Sequence, residues 1–340
     1  MKLFKIRVLL MLTVSFAIAA HSFRSSASTP CSIDVNTNTN VFYVGDCNSV
    51  SPYVSVISGS SNTVVATIPL GGGHPATSIA VNSFTNMIYV AATGSIDVIN
   101  GSTNAIVAQI PTSATRVAVD RSRNYVYATS IPNSNQFLEI NGSTNNVIGT
   151  LSLPSQPGPI TAVPGGLVYV GVTGGAYSVN PDTLTYSALP NFGPGGNTPQ
   201  DLAIGSISSR CGTQICFITH VYAGESGGGQ GFLVDYNTST QTYSTVLFTG
   251  QANAAAVAFN GSTLIYVRTW NTNPNTIEIV NNSDSLVGNV PIGSGNQGGL
   301  SEIAVNQAFP QLLYAPNSVG NTVSVINCST NTVIATITVP

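Results

Sequence analysis

One short pattern recurs through this sequence and limits the folds open to it. An apolar stretch containing a tyrosine, followed by Val, Ala or Gly-rich residues, occurs seven times, at Tyr43, Tyr89, Tyr127, Tyr169, Tyr222, Tyr266 and Tyr314. The intervals run from 38 to 53 residues and average about 45, which is the length of one β-propeller blade. A period of this length predicts a repeat architecture whose units stack to bury a common core.

Each repeat reads as four short strands. An apolar strand such as 78–82 precedes the tyrosine strand, and two more follow, as at 96–99 and 105–110. The turn between the last two is nearly constant, Asn-Gly-Ser-Thr-Asn at 100–104, which is hairpin chemistry. No helical period occurs, so we predict an all-β, seven-bladed propeller of four-stranded antiparallel blades over residues 31–340.

A small residue marks the innermost strand of most repeats, because sheets that radiate from an axis crowd most at their inner edge. In six of the seven repeats the third position of this strand is alanine: Ala80, Ala118, Ala162, Ala203, Ala258 and Ala304. In the first repeat Asp34 takes that position. We therefore predict that Asp34 faces a crowded site near the axis.

The residue pattern of the repeats resembles that of a known family. Residues 321–326 (Asn-Thr-Val-Ser-Val-Ile) and 330–337 (Thr-Asn-Thr-Val-Ile-Ala-Thr-Ile) are similar to the YVTN repeat, and blades 1 to 3 match it well. Blades 4 to 6 keep the spacing of the repeat but not its residue pattern. The resemblance implies an exported propeller related to surface-layer proteins. The motif residues of that family are structural, so it supplies no catalytic set.

The first thirty residues are predicted to be a signal peptide and short leader. Lys2, Lys5 and Arg7 form a basic start, and residues 8–20 form an apolar run that is shorter than the roughly 20 residues of a membrane span. Cleavage would release a protein with no integral membrane segment. We expect an extracellular, cell-surface or periplasmic location.

The charge of the remaining chain excludes several partners. Without the leader it holds five arginines, no lysine and twelve carboxylates, a net charge of −7. Nucleic acid and anionic lipid are bound by clustered Lys and Arg, so neither is an expected partner.

Five cysteines fit an oxidising compartment. Cys211 and Cys216 flank four residues and are predicted to staple a hairpin loop. Strand order places Cys31 and Cys47 at the same end of blade 1, which favours their pairing and leaves Cys328 over. A Cys31–Cys328 bridge that closes the ring is the alternative.

Strand order also separates the two faces. The upper face, defined by the second-to-third loops and the blade crossovers, carries long divergent loops, on which function concentrates in scaffolded folds. We expect ligand binding there, through His74, Arg116, Asp201, Arg268 and Trp270. Asp34 and Glu302, on adjacent inner strands, form the candidate calcium site, and no other cofactor is predicted. The alternatives are that these two carboxylates accept backbone hydrogen bonds, or that Arg116 neutralises one of them.

Sparse titratable groups favour a non-catalytic binding or scaffold protein that recognises a peptide, glycan or cell-wall component. The first alternative is a metal-dependent enzyme of the lactonase or lyase kind with its site on the axis, which would need Asp34, Asp201, Glu302 and His74 together. The second alternative is a self-associating surface-layer protein, which Cys328 would cross-link.

Overall fold

The computed structural model describes residues 29–340 except 49, 72, 130–133, 194–196, 212–213, 228–229, 249–252, 271–273, 294–301 and 308–310. The side chains of 208–211, 214–216, 226–227, 230, 253 and 255 also lie outside the described part. The predicted leader, residues 1–30, falls almost wholly outside these ranges. None of the described residues forms a helix long and apolar enough to cross a membrane.

Seven separate sheets form the molecule, each with four antiparallel strands taken from one continuous stretch of chain. The first strands of successive sheets contact one another in a closed ring around the axis, so the predicted seven-bladed propeller is confirmed. The strands of blades 1 to 4 are β1 (Pro30–Asn36), β2 (Val41–Asp46), β3 (Tyr53–Ser58), β4 (Thr63–Pro69), β5 (Ser78–Asn82), β6 (Met87–Ala92), β7 (Ser95–Asn100), β8 (Ala105–Ile110), β9 (Arg116–Asp120), β10 (Tyr125–Thr129), β11 (Gln136–Asn141), β12 (Asn146–Ser152), β13 (Pro157–Ala162), β14 (Val168–Val172), β15 (Gly175–Asn180) and β16 (Thr185–Ala188).

The strands of blades 5 to 7 follow the same order. They are β17 (Thr198–Cys211), β18 (Gln214–Gly227), β19 (Gln230–Asn237), β20 (Thr242–Leu247), β21 (Asn253–Phe259), β22 (Leu264–Trp270), β23 (Thr276–Asn281), β24 (Leu286–Pro291), β25 (Ala304–Asn306), β26 (Leu312–Asn317), β27 (Thr322–Asn327) and β28 (Thr332–Thr338). The turns after the first and third strands lie on the lower face, and the remaining connections lie on the upper face.

The asparagine at the end of the first strand makes hydrogen bonds both within the lower turn of its own blade and to the next blade. In blade 1, Oδ1 of Asn36 accepts hydrogen bonds from the backbone N–H groups of Asn38 and Thr39, while its Nδ2 donates to Oδ1 of Asn86 in blade 2 at 2.7 Å. The same inter-blade bond joins Asn82 to Asn124. Asn86 and Asn124 have positive φ, which asparagine tolerates better than most residues. The repeated asparagines are therefore structural.

The seven tyrosines are buried on the second strands, as the repeat predicts. Their side chains point toward the next blade, and Tyr89 donates to the backbone carbonyl of Gly142 in the third-to-fourth turn of blade 3. A Cβ at Gly101, the matching position in blade 2, would lie 2.6 Å from the hydroxyl oxygen of Tyr43. Glycine in this turn therefore gives the tyrosine of the preceding blade its space.

The ring closes between blades 7 and 1 without exchanging a strand. Asn306 donates to Asn40 across this junction at 2.7 Å, and the hydroxyl group of Tyr53 contacts the carbonyl oxygen of Pro340. The backbone N–H of Glu302 donates to the carbonyl oxygen of Cys31 at 2.8 Å. The last junction therefore uses the same asparagine bond as the junctions of blades 1 and 2 and of blades 2 and 3, with side chains replacing a covalent crossover.

Cys31 and Cys47 form a disulfide, with their Cα atoms 5.9 Å apart. This is the pairing that strand order favoured, and it removes the ring-closing Cys31–Cys328 alternative. Cys328 is free and buried in a lower turn, where its carbonyl oxygen accepts a hydrogen bond from Tyr266. Cys211 and Cys216 lie at the end of the β17–β18 hairpin, and their side chains are outside the described part, so their pairing stays a prediction.

The register explains the small residues of the inner strands. Ala80, Ala118, Ala203, Ala258 and Ala304 lie directly opposite the tyrosine of their own blade. Asp34 lies opposite Tyr43, so it does replace alanine. Blade 4 differs, because Thr161 lies opposite Tyr169, and Ala162 pairs with Val168.

Candidate functional site in the axial cavity

The first strands enclose a cavity of about 830 Å³ on the propeller axis. Most of its lining residues are Ile, Val, Leu and Ala of the seven inner strands, but the surface that they present to the cavity is more polar than apolar. The lining continues down to Asn38, Arg121 and Gln307 at the lower turns. Among the described residues of the upper connections, only Glu302 and Ile303, directly before β25, contribute. Within the described part of the chain, the lining therefore extends further toward the lower face than toward the upper one.

Asp201 and Glu302 occupy the upper end of the cavity. Asp201 lies two residues before the alanine opposite Tyr222, and Arg116 holds the matching position in blade 3. Glu302 lies two residues before Ala304, so all three belong to one tier. The positive charge of Arg116 acts on both carboxylates. Two of the predicted ligand-binding residues, Arg116 and Asp201, and one of the two predicted metal ligands, Glu302, therefore lie near one another at the upper end of the cavity, although Arg116 does not line it.

Each of these carboxylates also joins its blade to the next one. Oδ2 of Asp201 accepts a hydrogen bond from the backbone N–H of Val257 in blade 6 at 3.0 Å. Oε2 of Glu302 accepts one from the backbone N–H of Ile33 in blade 1 at 3.2 Å. These bonds correspond to the structural alternative that the sequence left open, because the oxygens accept backbone hydrogen bonds.

Asp34 lies one tier lower, and it joins blade 1 to blade 2 through backbone hydrogen bonds in the same way. Its Oδ1 accepts from the backbone N–H of Val35 and its Oδ2 from that of Val81, both at 2.7 Å. Arg121, at the lower end of the cavity, adds a favourable charge. Asp34 and Glu302 are thus two residues out of register, about 7 Å along a strand, and they point to different neighbours.

Burial shifts the titration of all three acids. It raises the pKa of Asp34 to about 6, against hydrogen bonds from Val35 and Val81 and the charge of Arg121. Burial likewise raises the pKa of Asp201 to about 6, against the Val257 hydrogen bond and Arg116. The pKa of Glu302 rises to about 7 through burial, with Arg116 opposing and the charge of Asp201 adding to the rise. Acids of this kind exchange protons near neutral pH and both donate and accept hydrogen bonds.

The remaining predicted residues do not line the cavity. His74 is half-buried in the crossover between β4 and β5, and its Nδ1 has no partner among the described residues. Arg268 is 2% exposed, too buried for the exposed aromatic and cationic patch that Trp270 suggested. Trp270 is half-buried at the upper end of β22. Within the described part of the chain, no three His, Cys, Asp or Glu side chains converge in a way that would hold a metal ion.

The lower mouth of the cavity was not predicted from the sequence. Arg121 is exposed there, directly after the strand-ending Asp120. The β17–β18 hairpin projects beside it, because β17 continues six residues past the point where β5 ends. Ser206 of this hairpin lines the cavity, and Phe217 on its second strand is 74% exposed. An unusually long repeat, 53 residues from Tyr169 to Tyr222, was the available signal.

Solved structures show the same fold at low sequence identity. No protein-family model and no curated protein sequence matches the chain. A structure of Kuenenia stuttgartiensis hydrazine synthase is 12% identical, with a TM-score of 0.66 over 92% of this chain and 99% of that chain. The β-propeller domain of Cps50 (Swd1) from Myceliophteria thermophila is 13% identical, with a TM-score of 0.63 over 89% and 98%.

The WD40 repeats of RRP9 are 12% identical to this chain, with a TM-score of 0.66 over 86% of this chain and 88% of that one. These proteins include a synthase, a β-propeller domain and a set of WD40 repeats. At such low identity the likeness shows the propeller fold and carries no activity over to this chain.

Proposed function

We propose that this protein is an exported, non-catalytic binding propeller of the YVTN-repeat type. Its ligand would be a peptide, glycan or cell-wall component that inserts an uncharged or cationic polar group into the axial cavity. The observation that carries the proposal is the cavity itself. Its volume of about 830 Å³ falls in the range of ligand pockets, and its largely polar surface carries Asp34, Asp201 and Glu302 among Ile, Val and Ala side chains.

The charges of the cavity favour this class of ligand. Asp34, Asp201 and Glu302 face Arg116 and Arg121, so carboxylates outnumber guanidinium groups. An anionic group of the ligand, placed deep inside the cavity, would lie near these three acidic side chains in a poorly solvated space, which costs free energy. Hydroxyl, amide or ammonium groups would instead find acceptors, and the Ile and Val walls would cover the apolar part of the ligand.

The lower mouth is the proposed entrance, in place of the upper face expected from loop length. Arg121 stands at this mouth, and the long β17–β18 hairpin with its exposed Phe217 projects beside it. Exposed aromatic and arginine side chains are frequent anchors in binding interfaces. A chain segment or glycan end could therefore contact the hairpin while its tip occupies the cavity.

Glycan and peptide arrays probed with the purified protein would identify a ligand class, and calorimetry would then compare variants. Ala162→Phe fills the cavity near its lower end, and we expect it to weaken binding about tenfold or more. Phe217→Ala should weaken binding less. Trp270→Ala, on the upper side, is the matched control and should bind normally. Loss of binding with Trp270→Ala and not with Ala162→Phe would move the site to the upper face and contradict the proposal.

A further inference from the structure

The outermost strands of five blades share an irregularity that the repeat pattern does not explain by itself. In each, the pairing of the third strand with the fourth skips one residue, which forms a β-bulge. The skipped residue is always β-branched and aliphatic. These residues, here called the bulge arc, are Val65 in β4, Val107 in β8, Ile148 in β12, Val287 in β24 and Ile334 in β28.

All members of the bulge arc face solvent. Their exposed fractions lie between 49% and 57%, although Val and Ile are usually buried. Three of them have an exposed apolar neighbour, namely Val147, Leu286 or Val333. The five blades are consecutive around the ring, in the order 6, 7, 1, 2, 3, so the members of the bulge arc follow one another along one part of the rim. Blades 4 and 5 have no bulge at this position.

The rim also lacks the charges that usually protect a sheet edge. None of the seven outermost strands contains Asp, Glu, Lys or Arg. Proteins commonly place lysine or an inward charge on such edges to prevent association. The bulges block only the regular addition of a further strand, because they interrupt the ladder. Side chains of another molecule can still pack against the bulge arc.

We propose that the bulge arc is a lateral self-association surface, through which copies of this chain pack rim against rim. The charge distribution favours a second copy as the occupant. The chain without its leader carries a net charge of −7, so most approaches of two copies are repulsive. The outermost strands carry none of that charge, and two rims can therefore meet without like charges facing each other.

The shape of the surface indicates weak and multiple contacts. Two convex rims touch over only one or two blades, which is far less than the roughly 800 Å² per partner of a stable dimer. An arc that spans five blades lets one molecule contact more than one neighbour at once. We therefore expect larger assemblies to grow with concentration, with no single stable dimer.

Sedimentation velocity of the purified protein over a wide concentration range tests this inference. The combined variant Val65→Thr, Val107→Thr, Ile148→Thr, Val287→Thr and Ile334→Thr keeps β-branched residues at every position and so keeps strand propensity. We expect it to weaken association about tenfold or more while thermal unfolding stays cooperative. The control pair Phe84→Thr and Val319→Thr removes exposed apolar residues from the lower and upper faces, and it should associate like the parent.

A single-site experiment gives a second readout that does not depend on the fivefold variant folding well. Ile334→Cys should form intermolecular disulfides rapidly under mild oxidation, and Val319→Cys should not. A parent protein that stays monomeric at every concentration would overturn the inference. The same holds if the fivefold variant and the control pair associate equally.

Discussion

The hydroxyl group of Tyr314 donates a hydrogen bond to Oδ1 of Asn62, 2.6 Å away, and so joins the last blade to the first. The two residues are 252 positions apart in the sequence. At this junction no crossover peptide holds the blades together, so individual side-chain bonds matter more than they do elsewhere in the ring.

Replacing Tyr314 by phenylalanine should therefore lower stability. The change keeps the buried ring, stacked on Phe42, and leaves Oδ1 of Asn62 without this bond, at a cost of about 1 kcal/mol. Denaturant unfolding followed by circular dichroism would measure it. Tyr43→Phe is the matched control, because the hydroxyl group of Tyr43 is buried and has no partner among the described residues. It should be neutral or stabilising. Equal losses in both variants would contradict this account of the junction.

Stability should rise as the pH falls from 8 to 5. Burial raises the pKa of Glu225 and of Glu302 to about 7, and that of Asp34 and Asp201 to about 6. The unfolded values are about 4, so folding favours the protonated acids, and this contribution is lost as the pH rises through 6 to 7. Thermal melts at several pH values would show it.

Glu225→Gln isolates one part of this effect. Glu225 is 1% exposed, and its Oε2 has no partner among the described residues. The variant should be more stable than the parent at pH 8 and similar to it at pH 5. Asp120→Asn is the opposite control. Burial alone would raise the pKa of Asp120, but hydrogen bonds from Ser122, Gly165 and Arg123 outweigh burial and lower it. The Asp120→Asn variant should be less stable than the parent at pH 7, and the difference in stability should be smaller in strong acid.

Removal of the disulfide by Cys31→Ala with Cys47→Ala should destabilise the protein by about 3 kcal/mol, the value for a loop of this size. Reducing agent should lower the melting temperature of the parent similarly and have no effect on that double variant beyond any contribution of Cys211 and Cys216. Cys328→Ala serves as the control, because Cys328 takes no part in a disulfide, and its sensitivity to reductant should equal that of the parent. A double variant as stable as the parent would show that the bridge is dispensable.

Calcium is the remaining prediction from the sequence. Both carboxylate oxygens of Asp34 already accept backbone hydrogen bonds, and Asp34 and Glu302 point to different blades. We therefore expect EDTA to leave the melting temperature unchanged and elemental analysis to find less than one calcium per chain. Stoichiometric calcium together with a large drop in melting temperature would restore the axial metal site and justify lactonase and lyase assays.

The features that the sequence predicted depend on local spacing. The tyrosine period, the alanine opposite the tyrosine in five blades and the exceptional Asp34 follow from positions along one strand or one hairpin. The Cys31–Cys47 pairing follows from strand order within one blade. Each needs only the periodicity of a strand and the order of a meander.

The features that the sequence did not predict depend on contacts between blades. The approach of Arg116 to Asp201 and Glu302 is one example, because these residues come from blades 3, 5 and 7. Arg268 appeared to be a surface residue because it precedes a loop, yet its strand buries it. The bulges left a visible trace, since consecutive apolar residues such as Val64 and Val65 break the alternation of a strand.

Each sheet is drawn from one unbroken stretch of chain, and this has a consequence for how such a molecule changes over evolutionary time. A duplicated or deleted repeat would add or remove a whole sheet without cutting any other. Among blades 7, 1, 2 and 3, the new neighbours would meet through the same asparagine and tyrosine contacts that those junctions already use. Divergence in blades 4 to 6, including the long hairpin beside the cavity, can therefore accumulate while the surrounding ring keeps its geometry.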